Sequence, residues 1–86
     1  MSKPDHQIKA RLDQLPRHVY EAIYHHCLQA TGLSHVAWGN MMRGQVPAWR
    51  FMVELCDIFE VSPRQLLDPY CPLEADTAIR TLAINS

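Results

Sequence analysis

Between Ser34 and Leu67 the chain is punctuated so tightly that a compact set of short helices is the architecture it permits. Ser34 suits a helix N-cap, because its side-chain oxygen can accept a first-turn N–H, and Gly44 suits the stop, because it enters the left-handed region without a Cβ clash. Pro47 restarts the chain, and an apolar helical pattern then runs to Glu60. Ser62-Pro63 opens a further short helix, Arg64 to Asp68, which Pro69 ends. Three helices joined by very short turns suit a small module that presents one helix to a partner.

The flanking segments read in the same way. Ile8, Leu12 and Leu15 recur at i, i+4 and i+7 and predict an amphipathic first helix from about Pro4 to Gln14. Pro16 starts a second, Arg17 to about Ala30, with Val19, Ile23, Cys27 and Ala30 on one face and Thr31-Gly32 as its stop. A sixth helical stretch spans Leu73 to Ile84, with Ala75, Ala78, Ile79, Leu82 and Ala83 apolar. No strand-like alternation of useful length occurs, so the expected fold is all-α, a compact bundle of five to six helices. The expected core is Ile23, Leu33, Trp38, Met41, Trp49, Met52, Leu55, Cys56, Phe59 and Leu66.

Eighty-six residues make one domain with a modest core, and 48% apolar with 20% charged residues is a composition that folds. No apolar run approaches the roughly 18 residues of a membrane span, so no membrane partner is expected. The N-terminal residues carry no apolar segment behind their charge, which argues against a secretory signal. Cys27, Cys56 and Cys71 are odd in number and without paired spacing, so reduced thiols and a cytoplasmic setting are expected. His18, His25 and His26 lie on one predicted helix with Cys27, but no HxxxH or CxxC pair completes a four-ligand site, and neither metal nor cofactor is expected. No phosphate-binding Gly-rich loop, convergent carboxylate pair or Ser/His/Asp set can be assembled, so the chain is not read as an enzyme. The net charge of −1 is less basic than that of most dedicated nucleic-acid binders.

The order Gly44, Pro47, Trp49 through Phe59, Val61-Ser62 and Leu66-Leu67 resembles the second half of a Cro/repressor-type helix-turn-helix domain, and Gly32-Leu33-Ser34 resembles that family's turn between its second and third helices. The likeness runs from about Arg17 to Leu67, with residues 1–70 forming the helix-turn-helix domain and 71–86 a helical tail that serves as a possible dimerisation element. The chain departs from the family pattern at Leu28, Met42 and Gly39, and the glycine costs its helix about 1 kcal/mol relative to Ala.

The resemblance implies a dimeric, sequence-specific regulator of transcription, of phage or mobile-element type, that binds double-stranded DNA through the helix at 34–43. Trp38 and Met41 would turn inward, leaving His35, Val36 and Asn40 to meet base edges, with Asn40 bonding an adenine. Arg17, Ser34, Arg43, Gln45 and Arg50 would contact phosphate. The helix after Pro47 is apolar around most of its circumference, so Phe51 and Ile58 on its outer side predict a buried contact. The first helix, the C-terminal tail or a second copy would supply it, with Ile79 and Leu82 joining any interface between copies. The alternative reading is a protein-interaction module on the same fold, an antirepressor, antitoxin-like adaptor or inhibitor, that binds a protein partner through this apolar helix.

Overall fold

The computed structural model describes residues 6–85, so Pro4 and Asp5 of the expected first helix lie outside the described residues. Six helices follow in order: α1 (Ile8–Asp13), α2 (Arg17–Thr31), α3 (His35–Met42), α4 (Trp49–Phe59), α5 (Pro63–Leu67) and α6 (Ala75–Leu82). No strand occurs among the described residues. No helix among them is long and apolar enough to cross a membrane. The α4 helix packs against α2, α5 and α6, α6 also reaches α2, and α1 packs against α2 and α3.

Each boundary has a local cause. Gly32 ends α2 at φ 71°, where its N–H donates to the Leu28 carbonyl, and Gly44 follows α3 at φ 103°. Thr31 back-bonds to the Cys27 carbonyl at 2.6 Å and accepts the Leu33 N–H, which settles the turn into α3 and buries Thr31 where Ala30 was expected. Ala30 is exposed. Ser62 and Gln65 form a reciprocal capping box that holds the five-residue α5. Ser34 has the extended backbone of an N-cap, but its hydroxyl makes no capping bond.

The core centres on Trp38 of α3. Its ring meets Tyr24 at 5.3 Å, Phe51 at 5.6 Å and Tyr20 at 6.2 Å, all edge to face, and its indole N–H donates to the Tyr20 hydroxyl at 3.1 Å. These contacts join α2, α3 and α4 with the geometry that aromatic quadrupoles prefer. Met41, one turn along α3, is buried beside them, as the inward register requires.

The register of α4 differs from the expected one. Its buried stripe is Phe51, Leu55, Ile58 and Phe59, whereas Trp49 is 69% exposed. Residues two apart on a helix are separated by about 200°, so Trp49 and Phe51 cannot both face the core. A helix that is apolar all round leaves the choice to tertiary fit, and Phe51 wins through its edge-to-face contact with Trp38. Phe51 and Ile58 are thereby enclosed within this chain and are not free to form an interface between copies. Ile79 and Leu82 of α6 are partly buried against the same core, as are Leu33, Met52 and Cys56.

A polar latch fastens α1. The Arg11 guanidinium, 8% exposed, donates to the Cys71 carbonyl at 2.8 Å, to the His6 carbonyl at 2.8 Å and to the Leu66 carbonyl. Its Nε is buried without a protein partner. Burial pushes this guanidinium below its ordinary value, with Cys71 and Asp68 acting the other way, yet arginine remains charged at neutral pH. His6 completes the fastening: its Nδ1 accepts the Ile8 N–H at 3.0 Å and its Nε2 donates to the Gln45 carbonyl at 2.7 Å, so the ring is the neutral Nε2–H tautomer.

Two outcomes test this account by denaturant unfolding. Arg11→Ala leaves three carbonyls without their donor and should cost about 3 kcal/mol, and Arg11→Lys should not restore it, because an ammonium lacks the planar fork. Unchanged stability in Arg11→Ala would refute the latch. Gly39→Ala should stabilise by about 1 kcal/mol, since an added Cβ would lie 3.7 Å from Arg43 Nη2, an ordinary contact.

Candidate functional site

The outer edge of α3 brings exposed side chains together on a short helix seated against the aromatic core. With Trp38 and Met41 turned inward, His35 and Val36 are exposed on the first turn, Val36 by 56%. Asn40 is half-buried one turn on, and Arg43 at the C-cap is exposed. The helix opens at the exposed Ser34, with no acidic residue in its first turn and no side-chain cap, which leaves its N-terminal dipole unopposed.

The far end of α3 is a small hydrogen-bonded knot. Arg43 donates through Nη1 to Asn40 Oδ1 at 2.9 Å, and the Asn40 carbonyl accepts the N–H groups of both Arg43 and Gln45 at 3.2 Å. The Gln45 carbonyl in turn accepts the hydrogen bond from His6 Nε2–H. Gln45 thus serves the structure through its backbone, with its residue exposed beside α3.

The other cations expected at phosphate positions have different settings. Arg17 is exposed and pairs with Glu21 at 3.2 Å, an i,i+4 contact in solvent that contributes little. Arg50 donates to the Thr31 carbonyl at 3.1 Å and so ties the start of α4 to the end of α2. Beside it lies a cleft of about 340 Å³ lined by Ala30, Thr31, Trp49, Arg50, Val53 and Glu54. Glu54 is held by His26 at 2.9 Å. Trp49 and Val53, four residues apart on α4, give this cleft an exposed apolar wall.

Charge is distributed unevenly along the chain. No carboxylate occurs between Glu21 and Glu54, a stretch that includes α3, Arg43 and Arg50. Beyond it, Glu54, Asp57, Glu60, Asp68, Glu74 and Asp76 face only Arg64 and Arg80. The net charge of −1 therefore conceals an acid-free, cationic middle and an acidic C-terminal third. Among the described residues no group of three His, Cys, Asp or Glu side chains is placed to hold a metal ion. Comparison of the chain with protein-family models, curated proteins and solved structures finds no match in any of the three.

The latch of His6 and Arg11, the outward turn of Trp49 and the Asn40–Arg43 bond were not foreseen from sequence. One signal was available: Arg11 sits beside Leu12 and three residues after Ile8, on the stripe that had to be buried.

The thiols differ in a way that titration can read. Burial, assisted by Glu54, pushes Cys27 up to about 12, and burial followed by Asp57 pushes Cys56 up as well. Because the folded state favours the neutral Cys27 thiol, its contribution to stability is present below the ordinary value of 9.0 and is lost as pH rises toward about 12. At pH 8 a thiol reagent should label the partly exposed Cys71 first and leave Cys27 silent until the chain is unfolded. Rapid labelling of Cys27 in the native protein would contradict this packing.

Proposed function

We propose that the protein binds duplex DNA through the outer edge of α3 and regulates transcription by occupying its site. The observation that carries this reading is the joint placement of His35, Val36 and Asn40 on an eight-residue helix, with Arg43 at its C-cap, within a stretch free of carboxylates. A helix of this size fits a major groove, and the absence of nearby negative charge suits approach to a polyanion. The resemblance of Gly32 through Leu67 to the Cro/repressor-type helix-turn-helix family supports the same reading. Ser34, with the uncapped first turn behind it, and the exposed Arg17 and Arg50 are the proposed phosphate contacts.

Two copies would set two α3 helices one helical turn of DNA apart. Phe51 and Ile58 are enclosed within the chain, so pairing of copies rests on outward residues, Trp49 and Val53 of α4 and the half-buried Ile79 and Leu82 of α6.

A second reading, a protein-interaction module, is favoured by one specific observation. Trp49 and Val53 expose an apolar wall over a cleft flanked by Arg50 and Glu54, which suits an apolar side chain from another protein.

Duplex binding measured across a salt series separates the two. DNA binding through phosphate should weaken steeply, with a log–log slope of about −0.9 for each phosphate neutralised. Val36→Glu, an exposed change that leaves the core alone, should abolish it, whereas Trp49→Glu should spare binding by a single copy. Absence of duplex binding even at low salt would overturn the DNA reading in favour of the protein partner.

A further inference from the structure

The Asn40–Arg43 bond decides how α3 can read a base, and the inference drawn from it rests on the DNA reading above. Arginine is a donor only, so the atom of Asn40 that faces Arg43 must be its oxygen, however the amide is drawn. The Arg43 side chain does not extend away from the end of α3. Its Nη2 lies 3.7 Å from where a Cβ on Gly39 would be, so the guanidinium folds back over the preceding turn, in the direction helical side chains favour. The cation therefore sits beside Asn40, toward the middle of the helix, rather than past its end.

This arrangement alters the expected roles of the two residues. An adenine edge offers an N7 acceptor and an N6 amino donor, so a bidentate Asn must present oxygen and nitrogen together. Asn40 already has one lone pair of its oxygen on Arg43, so an adenine amino group would have to share that oxygen with the guanidinium rather than take it alone. A guanine edge offers two acceptors, O6 and N7, and asks only for donors. Arg43 keeps N–H groups for it beyond the one given to Asn40, and no other side-chain bond among the described residues occupies them. We propose that Arg43 is the base-reading residue of α3, specific for guanine, and that Asn40 is the positioning residue that holds its guanidinium plane.

The test is selection from a random duplex library with the full chain, the Arg43→Lys and Arg43→Gln variants, and Asn40→Ala. The wild-type site should contain a guanine column, and 7-deazaguanine there, which removes the N7 acceptor, should weaken wild-type binding roughly tenfold. Arg43→Lys keeps the charge but not the fork. It should retain affinity for unselected DNA and blur the guanine column, because an ammonium can still donate to O6 or N7, whereas Arg43→Gln should lose the column and become indifferent to 7-deazaguanine. Asn40→Ala should blur the column without producing a new adenine preference. A guanine column that survives in both Arg43 variants, or a uniform loss of affinity with every column unchanged, would make Arg43 a phosphate contact and overturn the inference while leaving DNA binding intact. An adenine column lost only in Asn40→Ala would likewise overturn it. Failure of the wild type to bind any duplex at low salt would remove the DNA reading itself, and the base assignment with it.

Discussion

An eight-residue helix with a glycine inside it does not hold together in water, and the rest of the molecule depends on how that instability is overcome. Trp38 supplies the answer. Its indole is enclosed by Tyr20, Tyr24 and Phe51, and its only polar atom is satisfied by a tyrosine hydroxyl. Burial of so large a side chain contributes several kcal/mol on area alone, at roughly 25 cal/mol per Å². That is enough to fix the orientation of α3 about its axis, and the orientation puts His35 and Val36 in solvent. It also sets the register of α4, because Phe51 can join the aromatic group only if Trp49 faces out.

A second constraint acts at the periphery. The six-residue α1 contributes two fully buried apolar side chains, Ile8 and Leu12, and is too short to stand as an isolated helix. Directional bonds add to this burial. The Arg11 fork reaches carbonyls before α1, in α5 and in the connection to α6, so one side chain fastens segments more than fifty residues apart in sequence. No carboxylate forms an ion pair with it among the described residues, so its hydrogen bonds all go to carbonyls, with Asp68 and Cys71 acting on the cation only at longer range.

Local signals in the sequence were sufficient for the presence of the helices and for some of their ends, although α1 starts at Ile8, with His6 and Gln7 outside it, and α6 is confined to Ala75–Leu82. Gly32, Gly44, the Ser62 capping box and the Ile8/Leu12 spacing each act within a few residues, and each stands where the spacing puts it. The inward register of α3 was legible too, through Trp38 and Met41. The rotation of α4 was not, because a helix apolar on every side carries no information about which side packs. Nor was the Asn40–Arg43 bond, since an i,i+3 pair of polar residues can bond to each other or to solvent with equal ease. Left-handed caps at Glu60 and Ala83, at φ 54° and 53°, had no glycine to announce them.

The single bond from His6 to the Gln45 carbonyl gives the molecule a mechanical property. Gln45 is joined through its own N–H to the last turn of α3, so the backbone ahead of α1 and the edge that carries Asn40 and Arg43 are connected by two hydrogen bonds in series. Because the His6 carbonyl is also held by Arg11, which itself bonds Leu66 and Cys71, a displacement of His6 is coupled at once to the end of α3, to α5 and to the link into α6.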